Sequence, residues 1–154
     1  MEYDYKQAMR LSNQLCFPLY AAARSITNLY TPFLKPLGLT YTQYIVLLVL
    51  WEKEAATVGE LCDVLMLDNG TLSPLLKKLQ SSGYIEKRRS EKDDRVVVVS
   101  VTDAGKKLQE RAKDVPLNVA GCIKLSPDKA GMLYTLLNEL LKNQKEDQKN
   151  AFNL

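Results

Sequence analysis

In 154 residues the chain has no histidine, only three cysteines and one tryptophan, and no long apolar run. An odd cysteine count without a CxxC spacing excludes a disulfide framework, and the lack of histidine as well argues against a zinc site. Free thiols of this kind suit a reducing compartment. The longest apolar run, Tyr44 to Trp51, is far short of the roughly 20 residues that cross a bilayer. The amino-terminal stretch Met1-Glu2-Tyr3-Asp4-Tyr5-Lys6 is polar and unlike a leader, so the expected location is the cytoplasm. A formal charge of +3 is too small to imply nucleic acid, so what matters is where the charges lie. What is present, 46% hydrophobic and 25% charged residues, fits one compact domain with protruding elements that need a partner.

From Met9 to about Leu34 the apolar residues Leu11, Leu15, Leu19, Ala22, Ala23, Ile26, Leu29 and Phe33 recur at helical spacing. They predict a long first helix with Ser12 as its cap. Pro18 removes a hydrogen bond to the carbonyl of Gln14, so this helix is expected to kink or to start late. Pro32, Pro36 and Gly38 break the chain. Thr40 with Gln43, and Thr57 with Glu60, have the spacing of capping boxes; they open a second helix to Trp51 and a short third to about Leu65. Asp68-Asn69-Gly70-Thr71 forms a turn or cap before a fourth helix ending at Gly83. Its buried stripe is Leu72, Leu75, Leu76 and Leu79, which leaves Thr71, Ser73, Lys77, Lys78 and Gln80 for a ligand.

After Gly83 the period changes. Tyr84 to Arg89 and Val96 to Val101 are rich in β-formers and flank the charged connector Ser90 to Arg95, which predicts a hairpin. Thr102 caps a helix to about Gly121 with a break at Pro116, and Ser126-Pro127 starts a last helix to about Lys145. The fold class is therefore mainly α with a small β-hairpin, its middle third a winged helix-turn-helix.

Between residues 77 and 95, seven basic residues (Lys77, Lys78, Lys87, Arg88, Arg89, Lys92, Arg95) outnumber four acidic ones, a local excess equal to that of the whole chain. Hydroxyl and lysine side chains on the open face of a short helix suit a major groove. An arginine at a hairpin tip suits the narrower minor groove. Lysines on an amphipathic helix also make an ordinary solvated face; the charged hairpin favours DNA.

The segments Leu67-Asp68-Asn69-Gly70-Thr71-Leu72-Ser73-Pro74-Leu75-Leu76-Lys77-Lys78-Leu79, Gly83-Tyr84-Ile85, Arg88-Arg89-Ser90-Glu91-Lys92-Asp93-Asp94-Arg95 and Val101-Thr102-Asp103-Ala104-Gly105 resemble the MarR family of dimeric repressors. The resemblance spans nearly the whole chain. It implies that the fourth helix is the recognition helix and that Arg95, paired with Asp93, enters the minor groove. The expected DNA-binding residues are Thr71, Ser73, Lys77, Lys78, Arg88, Lys92, Asp93 and Arg95. The expected layout is a single unit, with a winged DNA-binding region at 40–101 and a helical dimerisation region at 9–34 and 103–145. The operator would be a pseudo-palindrome in double-stranded DNA.

The block Gln14-Leu15-Cys16-Phe17-Pro18-Leu19-Tyr20-Ala21, with Tyr30 and Leu39-Thr40-Tyr41-Thr42-Gln43-Tyr44, resembles one branch in particular. That branch is the organic hydroperoxide resistance regulators, with their staphylococcal-type global relatives. It implies that Cys16 is oxidised by organic hydroperoxides and that Tyr30 and Tyr41 hydrogen-bond it. Cys16 and Tyr30 are 14 residues apart, roughly 21 Å along one helix, so such a contact requires an antiparallel helix from the partner subunit of a homodimer. Tyr20, one turn on from Cys16, stays near it in the same chain. Phenolic donors and a helix amino terminus stabilise a thiolate. The first product is a sulfenic acid. Two-cysteine members of the branch imply Cys122 as the resolving thiol, an intersubunit disulfide with Cys16, and a subunit rotation that spoils the spacing of the recognition helices.

Plainer readings stand beside these. Cys62, Tyr44 and Trp51 fit the core, and Cys122 fits a packed helix end, in which case oxidised Cys16 would be capped by a small thiol or over-oxidised. Other functions consistent with the chain are a MarR-type repressor relieved by a small aromatic ligand, a thiol peroxidase using Cys16 and Cys122, and a protein-binding adaptor without DNA. The preferred reading is a regulator and not an enzyme, with no cofactor.

Overall fold

The computed structural model of the chain describes residues 4–151, with side chains through residue 143; Met1, Glu2 and Tyr3 of the polar amino-terminal stretch lie outside the described residues. It divides into two compact units, Met1–Ala120 and Gly121–Leu154.

The first long helix starts later than its periodicity predicts. A single turn, α1 (Tyr5–Ala8), is capped by Asp4, whose carboxylate accepts from the N–H groups of Lys6 and Gln7. A 3₁₀ turn at Leu11–Asn13 follows and contains Ser12, which therefore caps no long helix. Only then does α2 (Cys16–Leu29) begin, with Leu15 as an N-cap that makes no side-chain hydrogen bond. Pro18 explains the delay. It falls in the first turn of α2, where a backbone N–H has no intrahelical partner to lose, so the chain starts the helix around the proline instead of bending over it.

After α3 (Thr31–Leu34) and a 3₁₀ turn at Lys35–Leu37, Gly38 adopts φ +71° and reverses the chain. Helix α4 (Tyr41–Lys53) is the central helix of the winged region: Tyr44, Val46, Leu47, Val49 and Leu50 are all buried. Buried Gln43 is no liability, because its Oε1 accepts from Thr40 N and its N–H donates to Thr40 Oγ1, completing the expected capping box. A three-residue strand, β1 (Ala55–Thr57), precedes α5 (Val58–Leu65), whose capping box of Thr57 and Glu60 is also present.

Met66, in the left-handed conformation at φ +54°, ends α5. Helix α6 (Asn69–Ser81) follows, capped by Asp68, with Leu72, Leu76 and Leu79 of the predicted stripe buried and Leu75, at its margin, only half-buried. Strands β2 (Ile85–Arg89) and β3 (Val97–Val101) form the expected hairpin, with Ile85 opposite Val101 and Arg89 opposite Val97. Strand β1 adds to the other edge of β3, giving the order β1-β3-β2.

Thr102 caps α7 (Asp103–Ala112), and its hydroxyl also donates to Gly83 O, tying the base of the hairpin to the helix. The predicted break falls at Lys113 and Asp114, before α8 (Val115–Cys122), in which Pro116 occupies the second position. In the second unit α9 (Pro127–Ala151) starts at the proline as expected and runs past Lys145. It exposes Met132, Tyr134, Leu136, Leu140 and Leu141. Each fully buried leucine of the first unit contributes about 1.5–3 kcal/mol relative to exposure. Among the described residues no single helix is long and apolar enough to cross a membrane.

Candidate nucleic-acid interface and thiol sensor

Two helices and a hairpin present the polar face. On α6 the apolar stripe faces the core, which leaves Thr71, Ser73, Lys77 and Lys78 exposed. Their starting geometry is set by the cap. Asp68 Oδ1 accepts from Thr71 N at 2.8 Å and Asp68 Oδ2 from the Thr71 hydroxyl at 2.7 Å. The Thr71 hydroxyl, followed by its N–H, holds the Asp68 carboxyl below the usual range. Ser73 Oγ donates to Asn69 Oδ1 at 2.9 Å, orienting a residue the sequence analysis did not single out.

The hairpin tip is ordered by its own side chains. Asp93 Oδ1 accepts from Arg95 N at 3.0 Å and from Arg95 Nε at 3.2 Å. The Arg95 backbone N–H, and then its guanidinium, lower the Asp93 carboxyl from its ordinary value. The Asp93 carboxylate is thus committed to Arg95, which itself is exposed. Arg88 is exposed and pairs with Glu86 at 3.0 Å, and Lys92 is exposed in the loop.

Between α5, α6 and the hairpin runs a groove of about 570 Å³ lined by Asn69, Ser73, Lys87, Arg95 and Cys62, among others. The half-buried Cys62 corrects the expectation of a core thiol. Its neighbour Leu61 takes the core position, and one residue of helix rotation turns Cys62 to the groove. No sequence signal marks that groove, because its lining, from Thr57 to Val97, is assembled from three elements that only the fold brings together. Among the described residues no group of three or more histidine, cysteine or acidic side chains is arranged to hold a metal ion.

Cys16 is exposed as the first residue of α2, and its thiol makes no hydrogen bond to a described residue. Tyr20 lies one turn further on, where its hydroxyl accepts from Arg24 Nη1 at 3.1 Å beneath a cation–π contact of 5.5 Å. Tyr30, at the end of α2, and Tyr41, at the start of α4, are brought together by the intervening turn with ring centroids 4.9 Å apart. Tyr44 adjoins Tyr30 at 5.8 Å and continues to Trp51 at 6.1 Å, an aromatic run that only the tertiary fold creates. Burial, and secondarily the neighbouring Tyr30, raises the Tyr41 and Tyr44 phenols, so both remain protonated donors at neutral pH. Tyr44 is core, as expected; Trp51 is half-buried, and its Nε1–H donates to Gly105 O at 3.0 Å. Cys122 is exposed at the last position of α8.

Known proteins share this arrangement. Residues 28–112 match the family model described as transcriptional regulator SarA/Rot. An organic hydroperoxide resistance transcriptional regulator from Bacillus subtilis (strain 168) is 46% identical over 136 residues, covering 86% of this chain and 92% of its own. AbfR of Staphylococcus epidermidis, solved bound to DNA in a reduced form, superposes with a TM-score of 0.74 at 35% identity, over 91% of this chain and 98% of that one. Its overoxidized form bound to DNA gives 0.73 at 36% identity, with the same shares covered. The reduced form of MarR from E. coli gives 0.66 at 26% identity, covering 83% and 96%. The family model and the Bacillus relative describe transcriptional regulators, which sets aside the thiol peroxidase reading. A family match across more than half its length, and close likeness to a regulator over most of it, make the chain a winged-helix transcriptional regulator of the MarR group, belonging to the SarA/Rot family on the organic hydroperoxide resistance branch.

Proposed function

We propose that the chain acts in the cytoplasm as a homodimeric repressor that holds a pseudo-palindromic operator when reduced and releases it when Cys16 is oxidised by an organic hydroperoxide. The observation that carries this reading is the exposed Cys16 thiol at the uncapped amino terminus of α2. An exposed thiol is open to a peroxide arriving from solvent. The name of the Bacillus relative and the DNA-bound AbfR structures support the same assignment.

In this scheme α6 enters the major groove with Thr71, Ser73, Lys77 and Lys78, and the wing brings Arg88, Lys92 and Arg95 to the backbone and minor groove. Residues 9–34 and 103–145 form the dimerisation region and 40–101 the DNA-binding region. The close pair Tyr30 and Tyr41 receives the partner subunit's Cys16 and donates to its thiolate. The sulfur attacks one peroxide oxygen: the S–O bond forms as the O–O bond breaks, and the alkoxide leaves to take up a proton as the alcohol. The Cys122 thiol then attacks the sulfenic sulfur, forming the S–S bond and releasing water.

The test is operator binding by the reduced full-length protein, titrated with cumene hydroperoxide, for the wild type, Cys16→Ser and Cys122→Ser. Release in the wild type that Cys16→Ser abolishes is expected, and the Cys122→Ser curve shows whether the disulfide is required. Equal release by all three, or by none, overturns the thiol switch.

A further inference from the structure

The wing arginine is held from two sides, and only one of the holders was visible in the sequence. The loop between β2 and β3 is closed by backbone bonds from Ser90 N to Val96 O at 2.8 Å and from Val96 N to Asp93 O at 2.9 Å. Neither fixes the peptide group that joins Asp94 to Arg95. That group is clamped at both ends by side chains: its N–H donates to Asp93 Oδ1 at 3.0 Å, and its carbonyl oxygen accepts from Arg89 Nη1 at 2.7 Å. A peptide unit is planar, so holding both its N–H and its C=O fixes its plane. That plane, together with the Val96 N–H held by Asp93 O on the other side of Arg95, sets the direction in which the Arg95 side chain leaves the backbone. Asp93 then sets the guanidinium itself, through Arg95 Nε.

The geometry points to Arg89 as a positioning residue for DNA binding, one that aims Arg95 by holding the Asp94 carbonyl and not by contacting DNA. This rests on the reading of the wing as a DNA-contacting element. Arg89 is the last residue of β2, opposite Val97, so its backbone belongs to the rigid part of the hairpin and its side chain folds back over the loop. Rigid support of a loop-borne contact reduces the ordering cost on binding. The guanidinium suits this role because a short charge-assisted bond to a carbonyl is stronger than a neutral one.

Operator binding by the full-length protein at several salt concentrations, for the wild type, Arg89→Ala, Arg95→Ala and the double variant, tests this. Arg89→Ala is expected to weaken binding about tenfold, the worth of one hydrogen bond to a charged group. It should leave the dependence on salt unchanged, and in the Arg95→Ala background it should cause no further loss. A phosphate-contacting Arg89 would instead lower the salt slope by about 0.9 for each wing and add its full effect to that of Arg95→Ala, and either result overturns the clamp. If Arg95→Ala binds as tightly as the wild type, the DNA reading of the wing itself fails. If Arg95→Ala weakens binding while Arg89→Ala does not, only the clamp fails.

Discussion

Gly105 shows how much one residue position carries. A Cβ there would run into the carbonyl oxygen of Tyr84 and lie 2.6 Å from Val101 Cγ2, while the glycine N–H donates to Thr102 Oγ1 and its oxygen accepts from Trp51. Gly105→Ala is therefore expected to destabilise the protein by about 1–3 kcal/mol through overpacking, measured by urea denaturation. The Tyr30 and Tyr41 phenols have a different readout. Tyr41→Phe should leave operator affinity unchanged but slow oxidation of Cys16 about tenfold, since a hydrogen bond to a charged group contributes roughly 1.5 kcal/mol; stopped-flow kinetics with cumene hydroperoxide measures this. Acid sensitivity also belongs to single residues. The Asp68 carboxyl is held low by Thr71, and the Glu60 carboxyl by the Thr57 N–H and hydroxyl. A depressed folded value means stabilisation that is present above the ordinary carboxylate value, roughly pH 4, and lost as pH falls through the lowered one. Asp68→Asn keeps a capping oxygen but cannot titrate in this way, so its stability should fall less steeply in acid than that of the wild type. These capping residues were legible in the sequence because a cap and its target lie three residues apart. The Arg89 bond to Asp94 was not, since it depends on how the chain turns between them, and the Tyr30–Tyr41 contact was implied only by the resemblance, in which both meet one cysteine.

Among the elements, α6 carries an unusual burden. Pro74 sits in its sixth position, inside the helix, and so cannot donate to the Gly70 carbonyl one turn back. Pro74→Ala supplies that donor and removes the ring, and is expected to stabilise the fold by up to about 3 kcal/mol of helix propensity and so raise the melting temperature; a calorimetric scan decides it. Capping boxes located α4 and α5, the leucine stripe located α6, and runs of β-formers around a charged connector located the hairpin. Periodicity missed β1, whose Ala-Ala-Thr sequence carries little strand preference and exists as a strand only because β3 offers an edge. It merged the 3₁₀ turn, α2 and α3 into one helix, because apolar spacing continues through a stretch that Pro18 starts afresh.

For the molecule as a whole, the apolar side chains that α9 leaves exposed, Met132, Tyr134, Leu136, Leu140 and Leu141, are too many for a helix that works alone. In the dimer reading they are covered by the second subunit. Leu136→Glu should then shift sedimentation from dimer towards monomer and weaken operator binding in parallel. The same exposure in a monomer would leave both unchanged. The chain's single tryptophan gives such experiments a convenience of their own. Trp51 bonds to the first turn of α7 and touches the aromatic run that leads through Tyr44 and Tyr30 to Tyr41. Its fluorescence is therefore a built-in optical gauge of the junction between the tyrosine cluster and the base of the wing, readable in the unlabelled protein at each step of an oxidation or DNA-binding titration.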